Sequence, residues 1–214
     1  MSSEQAVRIA DGGPELDARF ARLGRNVAIV APPHPMMGGS MDSPVVEAMV
    51  EGFQAGGWST LRFNFRGVGE SAGSASGNVS DAVADYQRVV KWARDQESDW
   101  LTFGGYSFGA LAAIGTHLSG LDCHCIAAVA PPAQALTPEM MERIDCLFAL
   151  VAAKHDQIAE PGRYMELLTH ATQAAYHLID ADHFFANQRD EIFGYARTLA
   201  HDLTRAQAAE RDHA

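Results

Sequence analysis

The sequence predicts one α/β domain, a mostly parallel sheet of about eight strands with helices on both faces. Three observations carry that reading. Short apolar runs alternate with segments of helical period from residue 27 to the C-terminus. Such alternation implies right-handed crossovers between parallel strands. At 214 residues, 47% hydrophobic and 20% charged, the chain is long enough for one buried core and short for two.

The elements follow in order. Residues 7–10 and 16–23 alternate polar with apolar around Asp11-Gly12-Gly13-Pro14, a hairpin signal that supplies an antiparallel edge. Val27-Ala28-Ile29-Val30-Ala31 is continuously apolar, as a strand buried on both faces must be. Ser43-Pro44 caps a helix whose apolar residues Val45, Val46, Met49, Val50 and Phe53 recur until Gly56-Gly57. A strand over 59–65 follows, then a helix capped by Ser80-Asp81 with Val83, Tyr86, Val89, Val90 and Ala93 on one face. Residues 101–105 read as a strand, 108–118 as a small-residue helix and 126–130 as the next strand. A short helix over 138–143 precedes a strand over 147–153. Pro161 opens a further helix, 174–179 is the last strand, and Ile192, Phe193, Ala196, Leu199, Ala200 and Leu203 mark the closing helix. No repeat or linker is visible, and about 205–214 reads as a frayed polar tail.

A formal charge of −11 repels polyanions, so neither nucleic acid nor an anionic membrane surface is an expected partner. No apolar run reaches the roughly 20 residues of a membrane span. The N-terminus lacks the basic and apolar regions of a secretory signal, so cytoplasmic residence is the expectation. A homodimer is compatible with the sequence. Cys123, Cys125 and Cys146 are an odd number without a secretion signal, which argues against a disulfide framework. The pair Cys123 and Cys125 around His124 matches no usual zinc spacing and reads as packing thiols; no metal or organic cofactor is expected.

The chemistry concentrates after the strands. Gly105-Tyr106-Ser107-Phe108-Gly109 fits G-x-S-x-G, with a strand before it and a helix rich in small residues after it. That context lifts a serine hydroxyl above the sheet and aims a helix N-terminus at the reacting oxygen. Serine needs a base. His183 follows the last strand, where its loop returns over the C-terminal edge of the sheet, while His177 and His117 lie inside elements. Asp156 follows the strand over 147–153 and orients the imidazole, giving the order Ser107, Asp156, His183. Asp180 and Glu160 are substitutes; Asp182 is too near the histidine in sequence to reach its ring.

A tetrahedral intermediate needs two amide donors, one from Phe108 and one from the loop 32–40, Pro-Pro-His-Pro-Met-Met-Gly-Gly-Ser. Pro35 has no N–H, so Met36 is the expected second donor of the oxyanion hole and Met37 its reserve. His34, Met37, Tyr106 and Phe184 are the expected pocket residues. Arg62 lies near the end of another strand and Arg66 and Gly67-Val68-Gly69 follow it; they read as a tight turn with a mobile rim loop rather than a phosphate cradle, since no helix follows at once.

With these residues in place, the chain resembles small bacterial α/β-hydrolases of the lidless, dienelactone-hydrolase-like or serine-esterase kind. The resemblance rests on the blocks 33–42, from Pro33-His34-Pro35 to Asp42, and 64–71, Asn-Phe-Arg-Gly-Val-Gly-Glu-Ser. It rests also on the serine turn and on Asp182-His183-Phe184-Phe185. It implies the α/β-hydrolase fold and hydrolysis of esters or related acyl bonds, without metal or organic cofactor. Dienelactone hydrolases proper use a cysteine where this chain has Ser107, so their substrate does not carry over. Only about 15 residues separate the strand ending near Pro131 from the next, too few for the helical cap of many relatives. The site should therefore be open, roofed by Met36, Met37, Phe108, Phe184 and Phe185, which would favour an apolar substrate portion; the same residues serve equally as core.

The leading expectation is a serine hydrolase acting on a small-molecule carboxylic ester or thioester. Non-hydrolytic acyl transfer, cyclisation or lyase chemistry in the same pocket is one alternative, and a catalytically silent binding protein is another.

Overall fold

The computed structural model describes residues 4–213. Strands β1 (Gln5–Ile9) and β2 (Leu16–Ala21) form the expected hairpin, with Ile9 opposite Leu16. β2 then pairs antiparallel with β4 (Ser59–Phe63), and β4 parallel with β3 (Val27–Ala31). β5 (Leu101–Tyr106), β6 (Cys125–Val129), β7 (Leu147–Ala153) and β8 (Ala174–Ile179) extend the parallel part. The order is β1-β2-β4-β3-β5-β6-β7-β8, so the direction of winding reverses between β3 and β5. Loops after neighbouring strands diverge at such a point, and a crevice opens beyond the strands' carboxyl ends.

Helices α1 (Pro44–Ala55), α2 (Val79–Asp95), α3 (Phe108–Leu118) and α6 (Arg189–His213) cover the sheet, α1 packing on α6 and α2 on α3. The short α4 (Pro138–Glu142) and α5 (Tyr164–Leu168) fill the connections around β7, where no cap is inserted. Phe53, Trp58, Phe63, Tyr86 and Phe103 are fully buried between these layers. Each contributes about 1.5–3 kcal/mol by leaving water. The Tyr86 hydroxyl lies 3.0 Å from both the Ile29 and Gly104 carbonyl oxygens, so α2 clamps β3 to β5 directly beneath the crevice.

Four expectations need correction. Asn78, not Ser80-Asp81, stands at the N-cap of α2, because the Asp81 carboxylate is drawn to Ser76 Oγ at 2.6 Å and to Arg66 at 3.0 Å. Pro161 opens only a 3-10 turn, Pro161–Arg163, ahead of the five-residue α5. The frayed tail is instead the last turns of α6. Paired amides of Asn26 and Gln207 (2.9 and 3.2 Å) and the Arg211–Asp99 ion pair at 3.0 Å hold it to the body.

The loop after β4 is tied down rather than a free rim. Arg66 forks onto the fully buried Asp85 at 2.8 Å, and Asp85 also accepts the Arg66 amide and an Arg88 N–H. A buried carboxylate is tolerated only when it is surrounded by donors in this way. Ser71 Oγ donates to the Asn64 carbonyl at 2.9 Å and accepts the Asp17 amide at 2.9 Å. Arg62 pairs with Glu4, Asp42 and Glu47, so neither arginine is a free cation for a phosphate.

Candidate active site

Ser107 links β5 to α3 with φ 53° and ψ −115°, a left-handed conformation that costs a non-glycine residue about 1–3 kcal/mol. Its neighbours explain why the turn survives. A side-chain carbon on Gly105 would sit 2.4 Å from the Gly109 backbone, and one on Gly109 would sit 2.4 Å from the Pro32 carbonyl. The two glycines therefore let α3 start against β5 and the loop after β3. A bond from the Ser107 amide to the Val129 carbonyl at 2.8 Å fixes the turn. Phe108 is the first residue of α3, so its N–H has no intrahelical acceptor and is open to a ligand.

His183 Nε2 lies 3.0 Å from Ser107 Oγ, and His183 Nδ1 lies 2.7 Å from Asp156 Oδ2. All three side chains are buried. The other Asp156 oxygen accepts the Ile158 and Ala159 amides at 2.8 and 2.7 Å. Burial by itself would raise the Asp156 pKa; hydrogen bonds from His183 and the two amides outweigh it and hold the carboxyl below its ordinary value. Of the two substitutes, Asp180 pairs with His155 at 2.8 Å and Glu160 stands at the N-cap of the turn Pro161–Arg163 without a side-chain cap bond; Asp182, beside the histidine, accepts the Phe184 amide at 3.0 Å.

Tyr106 has a role the motif does not announce. Its hydroxyl donates to the His183 carbonyl at 2.8 Å, which pins the histidine loop to the end of β5. Burial pushes the Tyr106 pKa well up, so the phenol keeps its proton across the working pH range.

The loop after β3 makes a 3-10 turn, Pro35–Met37, with His34 at its N-cap. Here the structure qualifies the expected oxyanion hole. The Met36 amide donates to His34 Nδ1 at 3.2 Å, and the Met37 amide is fully committed to the His34 carbonyl at 3.0 Å. Met36 thus offers the weaker-held donor. Gly39 is required because a side-chain carbon there would lie 2.3 Å from the Pro33 carbonyl oxygen. Asn64 Oδ1 accepts the Met41 amide at 2.8 Å. Through that bond the two specific sequence blocks, 33–42 and 64–71, form one scaffold for the rim.

A cleft of about 590 Å³ opens over Ser107. His34, Met37, Tyr106 and Phe184 all line it, together with Phe108 and His183. The expected roof is only partly present. Met36 is 62% exposed and outside the lining, and Phe185 is buried under the site against Tyr106. Ser43, Pro44 and Val45 from the start of α1, with Pro132 and Ile158, complete the wall. Pro132 and Ile158 follow β6 and β7, so their place after a strand was the available signal. A depression of about 730 Å³ beside α6 is larger, but its two hydroxyls, Thr198 and Thr204, donate to the Gly194 and Ala200 carbonyls rather than to His201.

No protein-family model matches the chain. The uncharacterized protein RP471 of Rickettsia prowazekii is 26% identical over 202 residues, 84% of this chain and 82% of the relative. An α/β serine hydrolase homologue from Coxiella burnetii superposes with a TM-score of 0.83 at 24% identity, covering 92% of this chain and 97% of the other. XC6422 from Xanthomonas campestris, an α/β serine hydrolase without lid, gives 0.79 at 24% identity over 92% and 94%. These neighbours match the resemblance seen in the sequence, and the fold is that of the lidless α/β-hydrolases.

Proposed function

We propose that the protein is a serine hydrolase that cleaves a carboxylic ester or thioester through an acyl-enzyme. The observation that carries this reading is the unbroken hydrogen-bond chain Ser107–His183–Asp156 at the floor of an open cleft. Ser107 Oγ attacks the acyl carbon while His183 Nε2 takes its proton, and Asp156 stabilises the imidazolium. The oxyanion is bound by the Phe108 amide and by the Met36 amide, which leaves His34 Nδ1 for the stronger, charged acceptor. His183 then protonates the leaving alcohol or thiol, and water repeats the attack to release the acid.

Hydrolysis is favoured over transfer because the cleft has no lid to exclude water from the acyl-enzyme. The wall supports a neutral substrate with an apolar portion. Met37, Ile158 and Phe184 expose apolar surface at the mouth, and the net charge of −11 disfavours anions.

A fluorophosphonate probe should label wild type stoichiometrically, and Ser107→Ala should lose both labelling and turnover of short acyl esters. Unlabelled wild type that leaves graded esters and thioesters untouched would overturn the reading.

A further inference from the structure

At the opposite edge of the sheet the fold gathers three soft donors that the chemistry above does not use. His117 lies near the end of α3, Cys123 in the loop before β6, and Cys146 immediately before β7. Their donor atoms all fall within 4.8 Å of one another. Cys123 Sγ is 3.7 Å from Cys146 Sγ and 3.6 Å from His117 Nδ1. His117 and Cys123 are buried, and Cys146 is half-buried, which leaves a path in from solvent.

Two of the three separations match a metal site, and the third, Cys146 to His117, lies within 4.8 Å. A tetrahedral zinc ion with bonds of about 2.3 Å to sulfur and about 2.0–2.1 Å to nitrogen sets S···S at roughly 3.8 Å and S···N at roughly 3.6 Å. A disulfide would need the sulfurs at about 2.05 Å. The imidazole is also correctly presented. His117 Nε2 is 3.1 Å from Asp145 Oδ1, so an Nε2–H donated to that carboxylate leaves the Nδ1 lone pair facing Cys123 Sγ. Metal-bound histidines commonly carry such a carboxylate behind them.

We propose that His117 Nδ1, Cys123 Sγ and Cys146 Sγ form a binding site for one thiophilic metal ion of the Zn²⁺ type, with Asp145 orienting the histidine. Two thiolates and a neutral imidazole suit Zn²⁺ or Cu⁺ over Mg²⁺ or Ca²⁺. Binding Zn²⁺ releases the two thiol protons and leaves a neutral dithiolate centre, with the fourth position open to water. The ion would join the end of α3 to the starts of β6 and β7, far from Ser107 in the fold. Its role would therefore be structural. Cys123 and Cys125, whose spacing fits no usual zinc pattern, are not the pair used: Cys125 is buried within β6, and Cys123 finds its partner 23 residues on.

The test uses reduced, metal-stripped full-length protein titrated with Co²⁺ and then Zn²⁺. One equivalent of Co²⁺ should produce thiolate-to-cobalt charge-transfer absorption and the intense visible bands of tetrahedral Co²⁺, both abolished by Zn²⁺. Cys146→Ser and Cys123→Ser should lose the charge-transfer band, Cys125→Ala should keep it, and Asp145→Asn should weaken Zn²⁺ binding about 10- to 100-fold. At free Zn²⁺ a hundredfold above Kd, the wild-type Tm should rise by roughly 5–10 °C, and that of Cys146→Ser should not move. Circular dichroism of the half-buried Cys146→Ser without metal separates lost binding from lost folding. Absence of the charge-transfer band in folded wild type, its survival in Cys146→Ser, or a Cys123–Cys146 disulfide that persists in protein purified with Zn²⁺ and without reductant would overturn the proposal.

Discussion

Replacing Asp156 by asparagine tests the reading of the site most directly, because the surroundings dictate how the new amide must sit. Oδ1 accepts two backbone N–H groups, from Ile158 and Ala159, so the asparagine carbonyl has to occupy that side. The reverse orientation would aim an NH₂ at two amide donors and strand both, at about 1–3 kcal/mol each. The asparagine NH₂ is therefore forced against His183 Nδ1, which must then present its lone pair and carry its proton on Nε2. A protonated Nε2 cannot accept from Ser107 Oγ, 3.0 Å away. The wrong tautomer should cost about 10⁴ in kcat, or about 5.4 kcal/mol of barrier. Both backbone bonds persist, so the variant should fold and keep its fluorophosphonate-accessible serine, labelled more slowly. The assay is kcat on a short acyl ester alongside thermal melting. A folded variant within tenfold of wild type would refute the tautomer argument. The same substitution has a pH signature. The folded-state pKa of Asp156 is lowered, so its ionisation stabilises the fold above the ordinary carboxylate value, about 3.9, and that contribution is lost as pH falls through the lowered value. The Tm difference between wild type and Asp156→Asn should therefore shrink on acidification below about pH 4.

Gly109→Ala should destabilise by about 1–3 kcal/mol and depress kcat, since the added carbon meets the Pro32 and Ala31 carbonyls at 2.4 and 2.5 Å and must push α3 away from the loop after β3; an unchanged Tm argues against this close approach. Tyr106→Phe removes the 2.8 Å bond to the His183 carbonyl and should cost about 1 kcal/mol of stability, with a several-fold fall in kcat and little change in KM. A variant with wild-type kcat would remove Tyr106 from the positioning of His183.

The element order, the parallel sheet and the identity of the serine, histidine and aspartate side chains were legible because each depends on local pattern. Val27–Ala31 is apolar throughout because both its faces are covered, and G-x-S-x-G lies between a strand and a helix because only glycines fit on either side of the serine turn. What stayed hidden depended on partners distant in sequence. The last residues looked like a loose tail because their polarity is visible locally, whereas Asn26 and Asp99, which hold them, are not neighbours in the chain. The Arg66 loop looked mobile because the buried Asp85 that anchors it comes from α2. The missing N–H of Pro35 points to Met36 as a donor, yet only the folded loop brings His34 Nδ1 onto that amide. The same holds for the thiols. By itself the sequence determined which residues could do chemistry; the tertiary structure decided which of them meet, since sheet pairing places Cys146 beside Cys123 and His117 at one edge while Ser107, His183 and Asp156 converge at the other.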